Sequence, residues 1–445
     1  HFAQTRRRYG LNTPKTKLNT FCRTTRTVTK VFCAQHQYLS TPQKCKKQNQ
    51  LCRRANSRQL AVVCAKPIHP PSYLQARKMP PINNLSARST YRPLTSGEQV
   101  VNDKHSQLNP TTIKASVIPH TAAELSKVVR LAAQNNDRIC IAGGRHAMGG
   151  QQFLKNGLLI DTQCLNQVIN FDREKGQITV QAGMTWPTLI SWLQKEQVGT
   201  AQPWTIAQKQ TGCDTLSIGG ALSANVHGRG LALPPLVHDV ESFTLITHDG
   251  AQLKCSRSQN QDLFKLVIGG YGLFGIIESA TLKLIPRTVL RRDVELIGAR
   301  EAVARLEEQA KNGATYGDFQ FAIDDQRDDF LMTGILSTYT PEATGSDPSD
   351  EKRLLSVDAW KELVYLAHTE KSQAFDLYAK HYLSTNGQHY WSDTFQLSTY
   401  LDDYHKAIDA RAPKHCQGTE VISELYVPRH PLGEFLQKVA DCLRE

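Results

Sequence analysis

No acidic residue occurs before Glu98, although the same stretch carries 19 lysines and arginines. No apolar run approaches the roughly 18 residues that a membrane-spanning helix needs, and no secretory hydrophobic region follows the first residues. Cysteines are not paired as CxxC with histidines at zinc-ligand spacing. Methionine is scarce, with four in the chain and the first at Met79. These absences speak against a membrane span, a secreted disulfide scaffold and a zinc module. The expectation is a soluble, intracellular, thiol-bearing protein with no metal.

The chain has 445 residues and a net charge of +12. Subtracting the +19 of residues 1–97 leaves −7 for the remainder. The basic pI therefore belongs to a head, and the globular part is mildly acidic, so nucleic acid is not the expected partner. Residues 1–78 lack sustained periodicity, are rich in Thr, Arg, Lys, Gln and Asn, and include Cys22, Cys33, Cys45, Cys52 and Cys64. Three readings of this disordered head stay open. It is an organelle transit segment, a nucleic-acid-binding arm, or read-through upstream of a start at Met79.

Ordered patterning begins near Leu108. Thr121 and Glu124 form a capping box ahead of a helical stripe of Leu125, Val128, Val129 and Ala132, which Asn135–Asn136 ends. Strands are predicted at Arg138–Ala142, Leu158–Asp161 and Gln177–Ala182, then a helix opened by Pro187. A hairpin is predicted over Phe243–Cys255 around Asp249–Gly250, and a strand over Ile276–Ile285 closed by Pro286. The sum is an α+β layered protein rather than a doubly wound sheet. Residues 291–370 read as helical and charged, with a loop at Thr340–Asp350. The C-terminal helix carries Phe435, Leu436, Val439 and Leu443 without a cap at Glu445, which reads as a truncated end.

Three glycine-rich blocks carry the chemistry. Ala142–Gln151 (AGGRHAMGGQ) follows a strand; glycines there permit positive φ and let backbone N–H groups approach an anion such as a pyrophosphate. Taken alone, it reads equally well as a tight surface turn with an incidental histidine. Residues 211–230 (TGCDTLSIGGALSANVHGRG) place small side chains where backbone could lie against a flat ring. Gly269–Gly275 (GGYGLFG) fits GxGxxG, yet a helix precedes it and a strand follows. The order is wrong for a dinucleotide fingerprint, and a Rossmann NAD site is rejected.

In this order, the glycine loop with His146, SIGGALSANVHG, the HDVESFTLITHDG hairpin and GGYGLFGIIESATLKL resemble the FAD-binding domain of the vanillyl-alcohol oxidase and p-cresol methylhydroxylase (PCMH) superfamily. The resemblance spans residues 107–290. It implies a two-subdomain PCMH-type FAD-binding domain, with 291–445 as a partial α+β substrate cap. Ala142, Gly143, Gly144, Arg145, His146, Ala147, Met148, Gly149 and Gly150, with Gln151 beside them, would wrap the FAD pyrophosphate. Gly212, Ser217, Gly219, Gly220, Ser223, Asn225 and His227 would line the flavin ring and ribityl chain. Ile276 and Ile277 would contact the flavin edge through backbone atoms.

His146 corresponds to the position where many relatives attach the flavin covalently, and a neutral imidazole is a competent nucleophile. Relatives with that bond usually read Gly-His-Ser, whereas Arg145 and Ala147 flank the histidine here. Cys213 is spaced from Gly219–Gly220 like a second attachment cysteine of berberine-bridge enzymes, though a buried core thiol is the simpler reading. The implied activity is FAD-dependent oxidation of an alcohol, sugar or lactone-like C–OH group, with O₂ or another acceptor reoxidising the flavin. Arg145 or His227 would stabilise anionic reduced flavin, or His227 is a structural histidine. The catalytic base stays unassigned; His381, His389, Tyr390, Asp393 and His405 are candidates because they cluster. Rival readings are a flavin-binding module without turnover and nucleic-acid binding through the head.

Overall fold

The computed structural model describes residues 28–31, 35–40, 99–342, 348, 353–398, 404–411, 416–421 and 424–444, with the side chains of 28–40, 405 and 416–421 excepted. Of the head, only two short strands are described, Val28–Val31 and Gln35–Ser40. The readings of the rest of it, and of Glu445, fall outside the described residues. No helix among the described residues is long and apolar enough to cross a membrane.

The first subdomain is a small parallel sheet in the order Ala115–Val117, Leu158–Asp161, Ile139–Ala142. Every residue of its central strand is buried, as expected for a parallel strand covered on both faces. Helix α1 (Ala122–Gln134) crosses over between the outer strands and packs Leu125, Val128 and Val129 onto Leu158 and Ile160. Its cap forms as the sequence implied: Thr121 Oγ1 accepts from the Glu124 N–H at 3.1 Å. The Glu124 carboxylate reaches back one residue further than the box motif requires, to the His120 N–H at 2.8 Å.

A six-stranded antiparallel sheet forms the second subdomain. Its path runs Gln252–Ser256, Val240–Ile246, Ile276–Pro286, Gln177–Gln181 and Val168–Asp172, with Trp204–Ile206 also pairing to Ile276–Pro286. Alternate burial of Ile178 and Val180 sends one face to a core shared with α2 (Trp186–Glu196) and α3 (Ile218–Ala224). The long strand Ile276–Pro286 follows Gly269–Gly275, and the helix Gln261–Val267 precedes it. The rejection of a Rossmann fingerprint agrees with that order. Ile246 and Ile276 join the core around α1, so the two subdomains share a seam.

Residues 291–370 are not mainly helical, as their charge had suggested. Helix and strand share the region about equally, and its strands belong to a four-stranded antiparallel sheet ordered Tyr316–Phe321, Thr333–Glu342, Val289–Gly298, His389–Trp391. Helices Ala299–Lys311 and Val357–Thr369 account for the helical signal. Charges at Arg291, Asp293 and Glu295 alternate along the strand with inward Leu290, Arg292 and Val294, a period of two that composition hides. Thr340–Glu342 belong to a strand rather than to the predicted loop, most of whose other positions lie outside the described residues. The C-terminal helix spans Leu432–Arg444 and buries Leu436 and Val439.

Candidate functional site

A cleft of about 580 Å³ lies between the two subdomains, within the usual range of cofactor sites. One wall is the loop that leaves the strand Ile139–Ala142. Gly144 is required there: a Cβ at this position would sit 2.3 Å from the Thr215 carbonyl oxygen. Arg145 takes φ 59°, a left-handed conformation that costs a side-chain-bearing residue about 1–3 kcal/mol. Two contacts hold it there. Its carbonyl accepts from the Lys104 N–H at 2.9 Å, and its guanidinium meets the buried Asp161 carboxylate at 2.8 Å.

The far end of the loop is clamped by a segment that sequence reasoning passed over. The strand Gln99–Val101 pairs with Thr111–Ile113, so the structural unit begins ahead of residue 107. Between these strands, Asp103 Oδ1 accepts from the N–H groups of His105 and Ser106 at 3.0 and 2.6 Å. Asn109 Nδ2 donates to Met148 O at 2.7 Å and to Asp103 Oδ2 at 2.9 Å. Burial raises the Asp103 pKa, but hydrogen bonds from Asn109 and Ser106 outweigh it and hold the carboxyl below its ordinary value. Gly150, at φ 70°, packs against Asn109. The visible cue was NDKHSQLN, an Asx-rich turn between these two strands.

His146 stands at the centre of the loop. Its Nε2 lies 2.7 Å from Thr215 Oγ1, and its Nδ1 lies 2.9 Å from His105 Nε2 and 3.1 Å from Cys213 Sγ. Burial first, then the neighbouring His105 and Lys104, press its pKa down to about 3. The imidazole is therefore neutral at physiological pH. Cys213 is buried as expected, and burial pushes its thiol up to about 12. Its sulfur lies in contact with His146 Nδ1, at 3.1 Å.

Of the residues expected to hold the cofactor, Gly143, Gly144, Arg145, His146, Ala147, Gln151, Ser217, Gly219, Gly220, Ser223, Ile276 and Ile277 line the cleft together. Ala142 ends the strand beneath it. Met148, Gly149 and Gly150 turn through the clamp, and Gly212, Asn225 and His227 are not part of the lining. Asn225 instead ends α3 in a left-handed conformation, and its side chain accepts from the Val237 N–H at 3.0 Å. His227 is buried and paired with Glu424, 197 positions away. Gln152, Phe153, Thr162, Tyr271 and Leu273 also line the cleft. No glycine marks the first three, so motif reading missed them.

The segment between the glycine blocks is anchored by buried charge. Lys209 Nζ meets Asp214 Oδ1 at 2.7 Å with its side chain fully buried. The 392–398 segment supports both: the Lys209 ammonium donates to Gln396 O at 3.0 Å, and Ser398 N–H and Oγ donate to Asp214 at 2.9 and 3.0 Å. The clustered base candidates with described side chains are not among the residues lining the cleft. His389 pairs with Glu342 at 2.7 Å, Asp393 with Arg287 at 2.8 Å, Tyr390 is core, and His381 packs edge-on to Tyr382. The side chain of His405 is outside the described residues.

The residues present fit a large polar cofactor. Arg145 Nε and both amide atoms of Gln152 are buried at the cleft without a hydrogen-bond partner, and such groups are costly to bury unsatisfied. A Cβ added at Gly220 would meet only Ser217 Oγ, at 3.1 Å, so backbone faces open cleft there.

Comparison with known proteins agrees with that donor set. Residues 113–256 match the family described as FAD binding domain. The L-gulonolactone oxidase of Mus musculus is 28% identical over 169 residues, 38% of this chain and 37% of that protein. Cytokinin dehydrogenase 2 of Arabidopsis thaliana is 31% identical over 180 residues, 40% of this chain and 34% of that protein. The chain thus spans well under half the length of these relatives. The crystal structure of cholesterol oxidase from B. sterolicum shares the fold, with a TM-score of 0.52 at 17% identity over 72% of this chain and 65% of that one. Residues 113–256 thus form an FAD-binding domain, with FAD as its cofactor.

Proposed function

We propose that the chain is an FAD-dependent oxidoreductase that oxidises a C–OH group of an alcohol, sugar or lactone-like substrate. When bound, FAD supplies the hydride acceptor, its N5, and O₂ or another small acceptor then takes the electrons. The observation that carries the reading is the cleft itself, with the Gly143–Ala147 loop opposite Ser217–Ser223 and unsatisfied donors at Arg145 and Gln152.

Each wall has a task in this reading. The loop N–H groups and Arg145 take the pyrophosphate, with Asp161 holding the guanidinium in place. Small residues Gly219, Gly220 and Ser223 leave room for the flat ring, and the backbone of Ile276 and Ile277 closes its edge. His146, neutral and held between Thr215 and His105, is the attachment point for covalent flavin. The region after residue 290 caps the substrate side. Tyr316 Oη donates to Ala207 O at 2.7 Å and Arg229 meets Asp318 at 2.8 Å, which locks that region onto the flavin domain.

The test is spectral. The full chain should be yellow and keep its flavin in an acid-precipitated pellet, whereas His146→Ala should stay yellow and release it. Loss of the flavin band under anaerobic aldonolactones or alcohols would establish turnover. A yellow protein that no such substrate bleaches would leave a binding module without turnover. A folded chain that takes up no FAD would overturn the assignment.

A further inference from the structure

His105, His146 and Cys213 come from three separate segments, yet one nitrogen from each histidine and the cysteine sulfur all lie within 4.8 Å of one another. Two of the separations run from a single atom, His146 Nδ1: 2.9 Å to His105 Nε2 and 3.1 Å to Cys213 Sγ. Tetrahedral zinc, with Zn–N near 2.0–2.1 Å and Zn–S near 2.3 Å, sets its donors about 3.3–3.6 Å apart. Around the ion the two short separations open by about half an ångström, while the third, between His105 and Cys213 and within 4.8 Å, closes toward about 3.6 Å. His105 and Cys213 are buried, and His146 lines the cleft, which gives an entry path and room for a water as fourth ligand.

The surrounding structure holds the trio in register. His105 sits on the Asp103 turn, whose hydrogen bonds to the His105 and Ser106 N–H groups fix its backbone. Cys213 sits between Lys209 and Asp214, whose ion pair is buried under Gln396 and Ser398. Preorganisation of this kind favours a bound ion, because little is lost in ordering the ligands. Two imidazoles and one sulfur suit a borderline-soft cation and disfavour Mg²⁺ or Ca²⁺.

We propose that in the flavin-free chain His105, His146 and Cys213 form a His₂Cys site for a zinc-class cation, and that the ion and covalent flavin exclude one another at His146. Binding forms two Zn–N bonds and one Zn–S bond, sends the thiol proton to solvent and transfers no electrons. The site gives the immature protein a metal-sensitive gate on flavin loading. The exclusion rests on the covalent-flavin reading of His146, whereas ion binding is measured without flavin and stands or falls by itself.

The experiment uses the full chain expressed under riboflavin limitation and titrated with Co²⁺ as a spectroscopic stand-in. The expected result is a cobalt–thiolate charge-transfer band that Cys213→Ser abolishes, with at least tenfold weaker binding in His105→Gln. Zinc X-ray absorption on the unmutated chain keeps the test sound where a variant folds poorly. One sulfur and two imidazoles in the shell support the site, while a sulfur-free or sulfur-rich shell overturns it. Zinc-loaded chain should also retain at least tenfold less acid-stable flavin after incubation with FAD. Equal retention with and without zinc would sink the gate.

Discussion

Lys209 and Asp214 meet at 2.7 Å with the lysine side chain wholly inaccessible to solvent, and Cys213 lies between them in sequence. Removing one partner of a buried pair leaves the other charge unpaired and costs about 3–5 kcal/mol. Lys209→Met should lower stability by that amount in urea titrations, and Lys209→Met with Asp214→Leu should recover much of it. A single-variant loss near about 1 kcal/mol, the range of exposed pairs, would mean that the pair is hydrated.

Gly144→Ala forces a Cβ against the Thr215 carbonyl at 2.3 Å, where neither backbone can yield easily. Overpacking of this kind costs about 1–3 kcal/mol. Because the displaced loop is the proposed cofactor wall, FAD affinity should fall about 5- to 150-fold. Fluorescence titration of flavin-free protein measures it, and unchanged affinity would place the cofactor elsewhere.

Asn109→Ala removes the donor that ties Met148 O to the Asp103 turn. The protein should lose about 1–2 kcal/mol of stability. Amide exchange in residues 145–150 should accelerate while that in the central strand Leu158–Asp161 does not. Uniform acceleration would point to global unfolding instead of a released loop.

His146 and His381 are both depressed from about 6.5, to about 3 and about 4, chiefly by burial. Below 6.5 the unfolded chain binds protons that the folded chain refuses. Their contribution is complete above that pH and is lost as pH falls toward 4 and 3. Denaturation midpoints should therefore decline between pH 6.5 and 5, ahead of most carboxylates, and His146→Gln should flatten part of that slope. An unaltered slope in that variant would mean that the imidazole is not excluded from water.

How much was legible depended on the range of the interaction. The α1 cap, the Asp249–Gly250 hairpin and the strand closed by Pro286 are written in neighbouring residues, and each formed with limits close to those expected. The strands Val289–Gly298 and Thr333–Glu342 were read as charged helix because their polar positions face outward only once the sheet exists. Polar residues clustered at 381–405 suggested a base, yet His389 and Asp393 are spent on ion pairs with Glu342 and Arg287. Clustering in sequence measured proximity along the chain and not convergence on the cleft.

By itself the sequence determined the glycine-rich blocks, their order and the cofactor class, because a backbone that must approach a ligand closely tolerates few residue types. Only the tertiary structure decided which side chains converge. His105, His146, Cys213 and Thr215 are brought to one point across as many as 110 positions of chain, and His227 meets Glu424 across 197. Hydrogen bonds and burial act over a few ångströms of space. The fold sets those distances, and the spacing of residues along the chain does not reveal them.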